Sequence, residues 1–396
     1  GFVMVTTTKK TSLLDPFRHS TITTLSQKTK TKGRGDIIKR WNHYENMENG
    51  RRISEDEEKI ASRKRRSILH RAASSIMMTS IGATTISTSA SATEESFAAA
   101  TTTTTYFQQF PTLFDPLYGS SSRKTILKSV DTNIWALEQN LSLGPLETPI
   151  RCVVIKLKDG TLWVHAPLAP TIEFFELVES LADDGKGVSH VVIPTYALEH
   201  KIFAKDALKR WNKAQLWISP NQFNFPFRNV PNEYVWGRSN VDGVLSSSDT
   251  TTEAAQPSWI DEIAYETLLA GTFQIGTTKN QRFCETTFYH KSTNTLIVTD
   301  ALAKIQSKPP TLSTDDKLLL ISKKSTSDPM PPKTMEALQI GWEKNALLIS
   351  YFFPEHEELD PEKQGVVTWT PGWHDNFLNL STRKLFVPPV VRTLLY

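Results

Sequence analysis

The chain has 396 residues, 45 Lys+Arg against 42 Asp+Glu for a formal net charge of +3, and two cysteines, Cys152 and Cys284. That length can bury one large core or two smaller ones, whereas two cysteines exclude a disulfide framework and a cysteine-based zinc cluster. Residues 1–92 hold 17 basic and 8 acidic side chains and residues 93–396 hold 28 and 34, so the body is acidic and nucleic acid is not its expected partner.

Residues 2–35 are rich in Thr, Ser and Lys, with Asp15 the only acid. This is the composition of an organelle transit peptide. A charged linker, Glu45 to Glu58, follows. Then come Arg63-Lys64-Arg65-Arg66-Ser67-Ile68-Leu69, a moderately apolar stretch from Ala72 to Ile86, and Ala90-Ser91-Ala92. Basic region, apolar region and A-x-A are the parts of a cleavable export signal, and Arg65-Arg66 resembles a twin-arginine signal. The expectation is a targeting leader over residues 1–92 that directs the chain to a plastid (chloroplast), to the thylakoid lumen rather than the stroma. Residues 93–125 are low-complexity, a flexible lead-in.

The body starts near residue 126, with Ile134-Trp135-Ala136-Leu137 as an entry strand. Ile150 to Lys158 and Thr161 to His165 are apolar, β-rich runs around Asp159-Gly160, a two-residue hairpin signal. Thr171 can cap a helix carrying Phe174, Phe175, Leu177, Val178 and Leu181 on one face, with Gly185 and Gly187 as stops. Val188 to Ile193 is a short strand ended by Pro194. A second helix is expected over about Glu199 to Trp211, with Phe203, Ala207, Leu208 and Trp211 on one side, then a strand over Ala214 to Ser219. Strands joined by such helices form parallel crossovers, and ligands bind beyond their carboxyl ends. The loop Pro194–His200 therefore lies where chemistry is expected.

Ser246 to Gln256 reads as a loop. Phe283 to His290 alternates poorly but is strand-like, and Thr295 to Thr299 returns the chain to Asp300. Residues 306–333 read as irregular. A helix over about Thr334 to Phe353 is expected to pack on the body, since Glu336, Glu343 and Lys344 interrupt it. Leu385 to Pro389 reads as an extended apolar strap. No apolar run reaches the ~20 residues of a helical membrane span.

Glu199-His200 can be a metal-ligand or acid–base pair, or a glutamate at a helix N-terminus beside a partly exposed histidine. Asp300 can project into a cleft at its strand end, or cap a helix over 301–305. His165 ends a strand on the same face as Trp163. His290 is expected at the surface, and His374-Asp375 is a weak pair in a polar loop. No Gly-rich phosphate loop, G-x-S-x-G or H-E-x-x-H is present.

The hairpin RCVVIKLKDGTLWVHAP, the loop VVIPTYALEHKIF, the strand LWISP and the hairpin FYHKSTNTLIVTDA together resemble the plastid and bacterial family carrying domain of unknown function 4336. That family is similar to the metallo-β-lactamase-like hydrolases. The resemblance implies an α+β fold, a metallo-β-lactamase-like αββα sandwich over residues 126–305 with a helical and extended C-terminal extension over 306–396. It also implies an H-x-H-x-D-H loop, against which this chain offers Thr195, Ala197, Glu199 and His200, with Asp300 matching the bridging aspartate. Two histidines are missing. The expected site is thus incomplete: no two-metal centre, at most one zinc or other divalent ion on Glu199, His200 and Asp300, with Glu199 and His200 diverging at a helix start. His165, Thr195, Tyr196 and His290 are the pocket candidates. Two functions follow: a non-catalytic role binding a protein or small-molecule partner, or a mononuclear metal-dependent hydrolase.

Overall fold

A computed structural model describes residues 4–7, 123–143, 145–224, 230–246, 256–275, 278–325, 327–351, 357–360, 366–369, 372–389 and 391. The low-complexity lead-in up to residue 122 and nearly all of the expected leader lie outside the described residues, as does most of the 246–256 loop.

Seven strands form a mixed sheet in sequential order: β2 (Ile126–Asp131), β3 (Ile134–Leu143), β4 (Leu146–Lys156), β5 (Leu162–His165), β6 (Val188–Ile193), β7 (Gln215–Ile218) and β8 (Gly243–Val244). β2 to β5 pair antiparallel; β5 to β8 pair parallel. Val188–Ile193 and Leu216–Ile218 are thus neighbours in one sheet, as the crossover reading requires. The second sheet is β1 (Met4–Thr7), β11 (Thr295–Val298), β10 (Thr278–His290) and β9 (Ile263–Ile275), in that order. β1 falls inside the expected leader and pairs antiparallel with β11.

Helix α1 (Ile172–Glu179) starts where Thr171 Oγ1 accepts from the Phe174 amide at 3.1 Å. It buries Phe174 and Val178 against Leu162, Val164 and Val191 of the large sheet, together with α2 (Ala204–Arg210), α3 (Asn232–Trp236) and Trp211. The opposite face packs on the second sheet. There Trp163, Val192 and Trp217 meet Trp259, Ile263, Phe288 and Ile297. Helices on one face and a sheet on the other make the class α+β, with a two-sheet sandwich.

Several local expectations change. Asp159-Gly160 does not form a two-residue turn. The Gly160 amide donates to Leu157 O and the Leu157 amide to Thr161 O, and only Gly160 takes positive φ, +81°. This is a turn followed by a left-handed glycine, a longer hairpin loop. The expected helix over 199–211 is split into a 3₁₀ turn, Leu198–His200, and α2. No helix follows Asp300; Ala303 instead exchanges backbone hydrogen bonds with Phe386, in the C-terminal strap, at 2.8 and 3.1 Å. The stretch 306–333 is not irregular throughout, because Asp315–Ser322 forms α4.

α4, α5 (Met335–Tyr351) and α6 (Trp373–Thr382) share a cluster of Leu318, Leu319, Trp342, Leu347, Phe377 and Leu380. Asn345 ties α5 to β4: its Nδ2 donates to Glu147 O at 2.6 Å and its Oδ1 accepts from the Glu147 amide at 3.1 Å. The Glu147 carboxylate accepts from the Thr314 amide and hydroxyl, both at 2.9 Å. His374 pairs with Glu343 at 2.7 Å, not with Asp375. No helix among the described residues is long and apolar enough to cross a membrane.

α4 and α5 meet at Gly341, where a Cβ would lie 2.0 Å from the Leu318 carbonyl oxygen. Gly341→Ala gains about 1 kcal/mol in helix propensity. It must also push apart two backbones, which cannot yield as a side-chain tip would. Overpacking costs about 1–3 kcal/mol, and a backbone contact this close belongs to the upper part of that range, about 2–3 kcal/mol. The expected net result is a loss of roughly 1–2 kcal/mol in the urea unfolding free energy. An unchanged or raised midpoint would show that the helices are free to separate.

Candidate metal centre

The carboxyl ends of β5, β6 and β11 meet at one edge of the sandwich. β6 ends at Ile193, and Pro194 breaks the strand because it has no amide to donate. The chain then crosses to the second sheet. Pro194 O accepts from the Thr286 amide at 2.8 Å, Thr195 Oγ1 donates to Cys284 O at 3.0 Å, and Thr195 bridges Glu285. The 3₁₀ turn follows, its His200 amide donating to Ala197 O at 3.2 Å.

This turn decides the site. A regular helix start would let Glu199 and His200 diverge. Here one donor atom each from Glu199, His200 and Asp300 lies within 4.8 Å of the others. His200 is buried, with Nε2 3.4 Å from Asp300 Oδ1. That nitrogen is buried and makes no hydrogen bond among the described residues. A buried imidazole nitrogen that makes no hydrogen bond is costly. A cation between it and two carboxylates would remove that cost, so the donor set fits a metal ion. One nitrogen and two carboxylates form a borderline-to-hard set, suited to zinc, manganese or iron(II) rather than a soft thiophilic ion.

The other candidates fall in three places. His165 lies on the same edge, fully buried, stacked on Trp163 with centroids 5.8 Å apart and edge-on to Phe288 at 5.6 Å. Its Nε2 is 3.4 Å from Thr299 Oγ1, and burial, then the His200 charge, push its pKa down to about 3. It is outside the converging set. Thr195 is buried and committed to Cys284 O, so its hydroxyl is a structural tie. Tyr196 is half-buried; burial, followed by its acidic neighbours Cys284, Asp300 and Glu199, raises its pKa. His290 is not at the surface and not at this edge. It is buried, its Nδ1 lies 2.8 Å from Thr293 Oγ1, and its charged neighbours are Asp131 and Lys158. The hairpin around it covers the ring, which the turn pattern did not reveal.

Three contributors were missed from the sequence. Glu285, in the middle of β10, is fully buried, and its carboxylate accepts from the amides of Thr299, Asp300 and Ala301 at 2.8, 2.7 and 2.8 Å. Burial, then the Asp300 charge, push its pKa up, and the three amide bonds pull it back toward the ionised form. The poor alternation of FCETTFYH was its only trace. Lys201 is buried beside His200; its Nζ donates to Phe223 O at 2.5 Å and Gln222 Oε1 at 3.2 Å, and burial pushes its pKa down to about 7. Gln222 also donates to Thr195 O at 3.3 Å and to Ser219 O at 3.1 Å. It lines a cavity of about 430 Å³ together with Ile218, Asn224, Val230, Pro231, Asn232 and Trp236. Among the described residues that lining carries no ionisable group.

No curated protein matches the sequence. Among solved structures the chain is similar to a metallo-β-lactamase from Pontibacter korlensis at 14% identity, covering 42% of this chain and 67% of that one, TM-score 0.28. It is similar to the DIM-1 metallo-β-lactamase at 12% identity, covering 43% and 66%, TM-score 0.29. It is also similar to a putative diflavin flavoprotein fragment from Nostoc sp. PCC 7120 at 14% identity, covering 43% and 63%, TM-score 0.26. The chain thus spans about two thirds of the length of each of these structures. A family model described as Domain of unknown function (DUF4336) matches residues 131–396, the region that contains β3 to β11 and the converging donors, and the chain belongs to that family.

Proposed function

We propose that this chain holds one divalent metal ion on Glu199, His200 and Asp300 and acts as a mononuclear metal-dependent hydrolase. The observation that carries this reading is the approach of the three donors within 4.8 Å around a buried His200 Nε2 that faces Asp300 at 3.4 Å and makes no hydrogen bond among the described residues. An ion bound there would supply a Lewis acid and lower the pKa of water in its reach. The chain's own groups do the rest. Asp300 keeps part of its side chain in solvent, which leaves the edge open to a substrate. Lys201, anchored on Gln222 and Phe223, fixes the backbone that carries His200. The cavity beside Gln222, uncharged among the described residues, suits a neutral, partly apolar portion of a substrate.

A second reading, a non-catalytic binding or assembly role, has its own support. Thr195 and Ala197 provide no imidazole where the resembling hydrolases have two, and the Thr195 hydroxyl is already spent on Cys284 O. The two readings are separated by assaying the purified full chain, loaded with Zn²⁺ or Mn²⁺, on a panel of phosphodiester, thioester and lactone substrates. The hydrolase reading expects turnover that depends on the ion and disappears in Asp300→Asn. Ion binding with no turnover on any substrate favours the binding role.

We also propose plastid delivery by residues 1–92, on the composition of that segment. A reporter fused to residues 1–100 should enter the organelle; a cytosolic signal would end the idea.

A further inference from the structure

The two loops that carry the donors come from different sheets, so something must hold them in register. Residue 285 touches both. Its backbone bridges Thr195, on the loop leading to Glu199 and His200. Its side chain receives three consecutive amides, Thr299, Asp300 and Ala301, at 2.7–2.8 Å. Oε1 takes the first and Oε2 takes the other two, so the carboxylate is engaged on both oxygens and is not itself a free ligand. Three N–H groups converging on one anion form a concave backbone nest. Charge-assisted bonds of this kind are stronger than neutral ones and set direction as well as distance. The turn they define is the one that aims Asp300 at His200.

Burying an acid next to another acid is an expensive way to hold a turn. Packing alone does not need it, because β10 buries Phe283, Phe288 and Cys284 nearby. A carboxylate becomes useful there when the turn must keep one orientation against the pull of a cation. Resting on the ion-site reading above, we propose that Glu285 is the positioning residue of the centre, clamping the Thr299–Ala301 turn so that the Asp300 carboxylate faces His200 and Glu199. Support of this kind around metal ligands changes affinity by about 10–100-fold when removed.

Glu285→Gln tests this in the full chain. The amide keeps one acceptor oxygen and sets an NH₂ group against an N–H, so one or two of the three bonds are lost. Co²⁺ is the probe, followed by titration and by the visible absorption of the bound ion, with Asp300→Asn as the reference for a lost ligand. The expected result is Co²⁺ binding about tenfold or more weaker than in the wild type, with an altered absorption spectrum, while the variant remains folded. A role in stability alone would lower the melting temperature and leave affinity and spectrum of the folded protein unchanged; that result overturns the clamp and leaves the ion site standing. Wild-type protein that binds no Co²⁺ overturns the ion site, and the clamp with it. Should Glu285→Gln not fold, Glu285→Asp keeps the charge and shortens its reach by one methylene. The same weakening and spectral change are then expected, and wild-type values overturn the clamp.

Discussion

Trp163→Ala is expected to lower the unfolding free energy by about 3–5 kcal/mol, the range for deleting a fully buried large aromatic. Trp163 is wholly buried at the centre of the inter-sheet layer. Its ring lies 5.0 Å from Phe288 and 5.8 Å from Trp259, both edge-on, so it bridges the two sheets. Edge-to-face aromatic contacts add about 0.5–1.5 kcal/mol to the value of area burial alone. Relaxation refills the space poorly, because Phe288 and His165 are strand residues fixed by backbone pairing, and only Trp259 sits on a turn. The Trp163 indole N–H has no hydrogen-bond partner among the described residues, so Trp163→Phe discards an unsatisfied donor as well as volume. The phenylalanine variant is accordingly expected to lose less than half as much. Urea unfolding of both variants checks the pair, and a loss under about 1 kcal/mol for Trp163→Ala would mean that the sheets are held elsewhere.

His200→Ala is expected to behave in the opposite way, with a small change in stability and a large one in ion affinity. His200 belongs to none of the apolar clusters, and its Nε2 contributes no hydrogen bond to the fold. Its removal leaves a small polar void next to Asp300 and takes away a buried nitrogen that makes no hydrogen bond, two effects of opposing sign. Ion binding loses the only imidazole of the set and is expected to weaken at least 100-fold, about 2.7 kcal/mol or more. Calorimetric titration with Zn²⁺ beside a thermal melt reads both quantities from one preparation. A collapse of the melt with unchanged affinity would assign His200 to the core.

The large sheet was legible because its signals are local. Apolar runs, a Thr at the start of α1 and helical spacing of Phe174 and Val178 each act within a few residues. The donors were legible for a related reason: Pro194 and Asp300 sit at strand ends, where topology sends side chains outward. What escaped is what depends on distant partners. The Glu285 carboxylate is satisfied by amides 14–16 residues away, and an amide leaves no mark in the amino-acid type that bears it. β1 pairs with a strand nearly 300 residues on, and no local pattern announces such a partner. The convergence of Glu199 and His200 turned on a three-residue 3₁₀ turn replacing the first turn of a helix. The apolar spacing that marks α2 continues smoothly enough toward that turn to conceal the break. α4 was hidden by Pro309, Pro310 and the Ser/Lys-rich flanks, although Thr314, Asp315 and Asp316 carry the marks of a helix start.

The central claim is that Glu199, His200 and Asp300 hold an ion, and metal content tests it most directly. The full chain, purified without chelator and dialysed against metal-free buffer, is analysed by elemental mass spectrometry beside His200→Ala and Asp300→Asn. The account predicts close to one equivalent of a divalent transition metal in the wild type and a small fraction of that in either variant, with all three proteins folded. Wild-type protein that emerges metal-free and takes up no Zn²⁺, Mn²⁺ or Fe²⁺ on titration, or variants that retain the ion at full occupancy, would contradict it.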